Sequence, residues 1–202
     1  MVVIIDYGLG NLASVAKAFK KAGAETMISS RDDQISKASH LVLPGQGAFC
    51  DGINNIRKLK LDKTIYREVL KNKKPILGIC LGMQLMADIG YENGEYPGLG
   101  LIKGQVLKIK PSDNIRLPHI GWDNIDIVKK SPLFSEIPNN SDFYFLHSYH
   151  LVSSNKSLIS ATCDYGQKFV VSVQKENIFA TLFHPEKSQE LGLKLIKNFL
   201  EC

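Results

Sequence analysis

Lys74-Pro75-Ile76-Leu77-Gly78-Ile79-Cys80-Leu81-Gly82-Met83-Gln84-Leu85-Met86-Ala87 is the stretch on which the reading of this chain turns. Ile76–Ile79 is a short apolar run behind a proline, the pattern of a buried strand, and residues 83–87 have helix-forming character. Between them stands Cys80, with a glycine two positions before it and another two after. This is the layout of a strand-to-helix elbow, whose sharp turn lifts one reactive side chain above the sheet edge. The glycines are needed because a Cβ at either position crowds the turn. A thiol at the apex meets the N–H groups of a helix start, which favour the nucleophilic thiolate. On this stretch alone, a small buried cysteine in a glycine-rich core turn reads equally well.

The second signal is Phe183-His184-Pro185-Glu186-Lys187-Ser188. A cysteine nucleophile needs a base to take its proton and a third group to orient that base. Pro185 disfavours helix at His184, so an extended segment is expected, with His184 and Glu186 on one face. The carboxylate then holds one ring nitrogen and leaves the other for Cys80. A plainer reading makes His184 a strand-end residue and Glu186 a first-turn acid of the last helix. The two readings of Glu186 are compatible.

Outward from these motifs the first half alternates strand and helix patterns. Strands are expected at 2–6, 25–29, 40–43 and 75–79, and helices at 11–22 and 62–72, the first presenting Leu12, Val15, Ala16 and Phe19 and stopping at Gly23. From 100 to 183 the runs shorten (105–109, 143–146, 159–163, 169–173), which predicts mixed or antiparallel additions to one sheet. A final helix over 189–200 is expected to bury Leu193, Ile196 and Leu200. The fold class is α/β: an open mixed, mostly parallel sheet flanked by helices, in a single domain over 1–202. Repeats, low-complexity segments and linkers are not evident.

Composition narrows the function classes. The 202 residues are 44% hydrophobic, enough for a substantial core, yet hold no apolar run of the ~18 residues a membrane span requires. Met1-Val2-Val3-Ile4-Ile5-Asp6 opens directly on a strand without a signal-peptide pattern, so a cytoplasmic protein is expected. The net charge of +5 comes from dispersed lysines, not an aromatic-basic module, which argues against nucleic acid. Cys50, Cys80, Cys163 and Cys202 make no C-x-x-C pair and no metal spacing. Cys50, in the glycine-rich stretch 46–52, is the one rival nucleophile and lacks an elbow.

Four further segments complete a pattern running through essentially the whole chain. They are Ile5-Asp6-Tyr7-Gly8-Leu9-Gly10-Asn11-Leu12, Leu43-Pro44-Gly45-Gln46-Gly47-Ala48-Phe49, Pro118-His119-Ile120-Gly121-Trp122 and Phe145-Leu146-His147-Ser148-Tyr149. With the elbow and the His-Pro-Glu element, the chain resembles class I, triad-type glutamine amidotransferases. Within them it is similar to the glutaminase subunits of imidazole glycerol phosphate synthase. The resemblance implies a flavodoxin-like topology and a catalytic set of Cys80 (nucleophile on the glutamine amide), His184 (base) and Glu186 (orienter). It implies oxyanion donors at Leu81 and around Gly45 and Gln46, and glutamine-binding roles for Gln84, Ser148 and Tyr149. It also implies a (β/α)₈ barrel synthase partner that receives ammonia at a junction near Asn11, Trp122, Tyr144 and Lys187. No cofactor and no metal is implied. Three positions depart from the family's habit: Gln46 for Val, Leu182 for Gln and Asp123 for Asn. None belongs to the triad. A related glutaminase serving a sugar-amidating partner, and a silent scaffold subunit, remain as alternatives.

Other motifs compete with these. Gly8-x-Gly10-x-x-Ala13 after the first strand is close to a dinucleotide fingerprint, with Arg31 placed to meet a 2′-phosphate, but Tyr7 and Asn11 crowd the phosphate path. His147-x-x-His150 suggests a metal pair, yet in an extended segment the two point to opposite faces. His119 reads as structural or interfacial and His40 as a surface residue.

Overall fold

Val2–Ile5 is apolar at every position, which suits a strand covered on both faces, and all four residues are buried. The computed structural model describes residues 1–111 and 116–202. Its strands are β1 (Val2–Ile5), β2 (Thr26–Ser29), β3 (His40–Leu43), β4 (Ile76–Ile79), β5 (Ala87–Gly90), β6 (Tyr96–Pro97), β7 (Ile102–Lys108), β8 (His119–Ile127), β9 (Ser141–His147), β10 (Tyr149–Val152), β11 (Ile159–Asp164), β12 (Lys168–Lys175) and β13 (Ile178–Thr181). The helices are α1 (Leu12–Lys21), α2 (Asp32–Ile35), α3 (Phe49–Lys58), α4 (Leu61–Tyr66), α5 (Leu81–Leu85) and α6 (Gln189–Leu200).

Five strands run parallel in the order β2-β1-β3-β4-β13, the doubly wound arrangement. Beyond β13 the sheet continues through antiparallel β12 and β10 to β7, β5 and β6, while β11, β8 and β9 branch from β12. The parallel strands therefore end on one edge. There the chain segments after β1, β3, β4 and β13 converge, the edge where open α/β sheets place their sites.

The elbow is built as its glycines require. Cys80 has φ 52° and ψ −108°, a left-handed conformation rare for a residue with a side chain. A Cβ on Gly82 would lie 1.7 Å from the Leu43 carbonyl oxygen, and one on Gly78 would lie 2.9 Å from Met86 Sδ and 3.0 Å from the Met83 nitrogen. Gly45 is equally confined, since its Cβ would meet the Tyr7 hydroxyl at 2.1 Å. That buried hydroxyl donates to the Pro44 carbonyl at 2.6 Å and pins the loop after β3.

Several elements differ from expectation. α3 falls where a glycine-rich stretch was read; Phe49, Ile53 and Ile56 form its buried stripe, and Gly52 lets Leu85 approach to 3.0 Å of its Cβ position. The helix expected over 62–72 is α-helical only to Tyr66 and widens to a π-helical turn over Arg67–Lys71. There the buried Glu68 carboxylate takes Arg67, Asn72 and Lys74 as partners. α6 buries Leu195, Ile196 and Phe199, while Leu193 and Leu200 are half-buried. Its rotation is set by Gly192, which backs onto the Pro185 carbonyl, and by buried Asn198, which donates to the carbonyls of Leu133 and Ser135. His40 is half-buried with its ring edge-on to Phe199, not a surface residue.

Gly82→Ala forces a carbon into a backbone oxygen, so it should cost roughly 3 kcal/mol or more, about 6–12 °C in Tm, or abolish folding. Gly78→Ala displaces mainly a methionine side chain and should cost less; equal Tm values for the two variants would refute this account. At position 80 the usual ranking inverts: Cys80→Gly should exceed Cys80→Ala in stability by about 1 kcal/mol, because only glycine relaxes at that φ. Denaturant unfolding of the pair measures this, and an alanine variant as stable as the glycine one would sink it.

Candidate active site

β4 leads straight into Cys80, whose N–H donates to the Thr181 carbonyl at 2.8 Å. This bond ties the elbow to the end of β13, in parallel register with β4 through Thr181 and Ile79. Three residues on, His184 is held at both ends of its backbone. Its N–H donates to the Tyr144 carbonyl at 2.9 Å and its carbonyl accepts from Ser188 Oγ at 2.7 Å. Ser188 Oγ also accepts from the Tyr144 N–H at 3.0 Å, closing a loop between β9 and the start of α6.

His184 Nδ1 lies 2.7 Å from Glu186 Oε1, with the two side chains 4% and 3% exposed. The pairing matches the sequence reading; the backbone that makes it does not. His184 is extended, but Pro185–Lys187 form a 3-10 turn, so Glu186 curls back to the ring instead of sharing a strand face with it. Nδ1–H donates to the carboxylate, which leaves Nε2 without a hydrogen-bond partner. Burial lowers the basicity of His184, but Cys80 and Glu186 overcome it and bring its pKa up to about 10. The Cys80 thiol, 5% exposed, donates instead to the Leu146 carbonyl at 3.6 Å, so in this conformation the Cys80–His184 hydrogen bond is not closed.

Cys80 opens on a cleft of about 410 Å³. Leu81, Gln46, Gln84, Ser148 and Tyr149 all line it; Gly45 stands behind, buried under Tyr7 and Leu81. Gln84 Nε2 donates to the Tyr149 carbonyl at 3.2 Å. Glu92 and Lys108 also line the cleft and were missed in the sequence. Glu92 caps α3 as well, accepting from the Phe49 N–H at 2.7 Å. Neither sits in a motif, and only the packing of β5 and β7 beside α5 brings them there.

Trp122, Tyr144 and Lys187 meet on the outer face of β8 and β9. Trp122 pairs with Tyr144 in register, their rings 6.0 Å apart, and Lys187 Nζ stands 5.5 Å over the Tyr144 ring. Trp122 is 45% exposed and Ile120, beside it on the strand's outer face, 56%. Asn11 is engaged as the cap of α1, accepting from the Ser14 N–H at 3.2 Å.

The remaining candidates are placed elsewhere. Gly10, with φ of 104°, presses against the loop after β3, where its Cβ would lie 3.1 Å from Gly45 Cα, and Gly8, with φ of 85°, faces the Asn55 side chain of α3 at 3.4 Å. Arg31 is bound to Asp33 by two hydrogen bonds of 3.0 Å. Cys50 lies on α3, 3.8 Å from Asp51, away from any imidazole pairing. His147 ends β9 and His150 lies in β10, so simple alternation does not apply, and both rings pack edge-on to Phe169. His119 is fully buried, hydrogen-bonded to His147 and Asp123.

Residues 3–202 match the family described as Glutamine amidotransferase class-I. A curated relative named imidazole glycerol phosphate synthase subunit HisH 1, from Campylobacter jejuni (strain RM1221), is 50% identical over 200 residues, 99% of each chain. The relative named imidazole glycerol phosphate synthase subunit HisH from Pelagibacter ubique (strain HTCC1062) is 48% identical, with 98% of each chain covered. Among solved structures, one titled glutamine amidotransferase matches at TM-score 0.78 and 19% identity, covering 100% of this chain and 98% of that one. PurLQS from Thermotoga maritima matches equally well at 20% identity, covering 99% and 97%. The chain belongs to the class I glutamine amidotransferases, in the family of imidazole glycerol phosphate synthase HisH subunits.

Proposed function

We propose that Cys80, His184 and Glu186 carry out the glutamine hydrolysis of this family, releasing glutamate and ammonia. The observation that carries this reading is the buried His184–Glu186 pair, its Nε2 left unpartnered, behind a Cys80 that opens on a cleft of about 410 Å³, room for an amino acid. Once the Cys80 proton has passed to His184 Nε2, whose raised pKa favours the thiolate–imidazolium pair, the sulfur attacks the side-chain amide carbon. That proton then goes to the departing nitrogen, giving ammonia and a γ-glutamyl thioester. A water molecule loses a proton to Nε2, attacks the thioester, and frees glutamate and the thiol. The negative charge on the carbonyl oxygen is met by the N–H of Leu81 and by the peptide at Gly45–Gln46. Tyr7 holds the Pro44 carbonyl, so a rotation that presents the second donor falls on the Gly45–Gln46 peptide.

Gln84, Ser148 and Tyr149 hold the glutamine head, and Glu92 and Lys108 supply opposite charges for its ammonium and carboxylate. Ammonia passes to a (β/α)₈ barrel synthase subunit that docks on Trp122, Tyr144, Lys187 and Ile120, with Asn11 at the margin. Ammonia in neutral water is mostly protonated and a poor nucleophile, which is the chemical reason for docking. The shared name of the relatives favours imidazole glycerol phosphate formation in histidine biosynthesis over amidation of a sugar. The intact triad disfavours a silent scaffold. We place the reaction in the cytoplasm, performed by one domain over residues 1–202; no helix among the described residues is long and apolar enough to cross a membrane.

Cys80→Ala should abolish glutamine-dependent synthesis while synthesis from added ammonium salt continues; glutamine hydrolysis retained by the variant overturns the nucleophile assignment. The isolated chain should hydrolyse glutamine at least about 10²-fold more slowly than the complex with synthase and its acceptor, the scale of one misplaced oxyanion donor. Glutamate release, measured with and without partner, decides this, and full activity of the lone chain would contradict it.

A further inference from the structure

One buried line of polar groups runs from the surface to the glutamine cleft. His147 Nδ1 lies 3.1 Å from the Tyr149 carbonyl oxygen and its Nε2 lies 3.0 Å from His119 Nδ1. His119 Nε2 lies 2.7 Å from Asp123 Oδ2. His119 and His147 are direct register partners across β8 and β9, so the line is built into the sheet. Its inner end is the carbonyl that also accepts from Gln84.

The protons can be counted. A carbonyl and a carboxylate only accept, so each end of the line requires a ring N–H. His147 gives its Nδ1–H to Tyr149, and His119 gives its Nε2–H to Asp123. The bond between the rings requires a third N–H. Two neutral imidazoles carry two, so with both rings neutral and Asp123 ionised, two lone pairs must face each other somewhere in the line. One added proton removes that conflict. His147 is not where it resides: burial first, then His119, pushes the His147 pKa down to about 3.

The surroundings of His119 point to it as the carrier. Its ring is stacked between Tyr165, 4.0 Å away at 12°, and Phe145, 4.7 Å away at 14°. Two aromatic faces attract a cation between them. The 2.7 Å separation from Asp123 is in the range of a charge-assisted N–H to carboxylate bond. Burial works the other way, lowering the His119 pKa, with Asp123 opposing it. The titratable groups facing the line are Asp123 on the same strand, His147 on β9, and Cys163 and Tyr165 from β11 and its turn, with Asp164 behind Cys163. His150 and His184 face His147.

We propose that Asp123, His119 and His147 are positioning residues for glutamine, closed into one hydrogen-bonded line by an extra proton that makes His119 an imidazolium. The line holds the Tyr149 carbonyl, and through it the Gln84 amide, in the geometry that receives the glutamine head; this rests on the reading of Gln84 and Tyr149 given above. Raising the pH removes the proton from His119 to water by way of Asp123, whose side chain is 32% exposed. One bond of the line then opens and glutamine binding weakens. An asparagine at position 123 changes the count, because its amide can donate to His119 Nε2 and close the line with both rings neutral.

The test uses the full chain labelled with ¹⁵N-histidine, in wild-type and Asp123→Asn forms. Between about pH 5 and 8, a span that brackets the ordinary histidine pKa of about 6.5, wild-type His119 should pass from protonated on both ring nitrogens to neutral, a transition absent from the variant. With the synthase partner, the wild-type KM for glutamine should rise at least about 3-fold over the two pH units above the His119 titration. The kcat should change much less, and the variant's KM should stay flat. A His119 neutral throughout that span, or one KM profile shared by both chains, overturns the proposal. Should the variant fail to fold, the wild-type spectrum decides alone. The spectrum needs no turnover, so loss of the glutaminase reading would show separately, as hydrolysis retained by Cys80→Ala.

Discussion

The 1.7 Å that would separate a Gly82 Cβ from the Leu43 carbonyl oxygen is the constraint on which the rest of the structure depends. Because nothing but hydrogen fits there, α5 starts hard against the end of β3, and the chain leaving β4 must turn through Cys80 in a strained conformation. Strain of this kind costs of order 1–3 kcal/mol and survives only where surrounding contacts determine it fully. Here those contacts are the Cys80 N–H bond to Thr181, Gly78 under Met86, and Gly45 wedged between Tyr7 and Leu81. The same packing that imposes the turn therefore brings the loop after β3 and the end of β13 to the sulfur.

The proposed base is positioned by a different device. His184 has a backbone fastened at N–H and carbonyl to β9 and Ser188, and a ring fastened at Nδ1 to Glu186. One atom, Nε2, is left unpartnered. An orphaned buried nitrogen is costly in a purely structural role and expected where a proton must come and go. The thiol, turned toward Leu146, and the imidazole are thus two groups whose mutual bond is open in this conformation.

β8 and β9 link the two faces of the molecule's chemistry. Their outer residues are the exposed Ile120 and Trp122 and the half-buried Tyr144, while His119, Phe145 and His147 of the same strands are buried, His147 at the cleft. Strand alternation alone divides these roles. In the proposed reading, a partner seated outside and glutamine bound inside touch opposite faces of one two-stranded ribbon, a short physical path for coupling.

Much of this was legible in the linear chain. The apolar runs at 2–5, 40–43 and 76–79 fix strands that are buried on both faces, and the two glycines around Cys80 fix the elbow, because those local sterics allow little else. His184 and Glu186 were readable as a pair, since a proline between them limits the backbone, although the 3-10 turn that joins them was not. α3 was obscured by the glycines around it, of which Gly52 admits Leu85, and β8 by polar residues whose partners lie on other strands. Only tertiary structure decided that Glu92 and Lys108 reach the cleft, that Gly8 and Gly10 serve packing, and that His119, His147 and Asp123 form one line. Each depends on which strand lies beside which, and no local pattern of side chains encodes distances across a sheet.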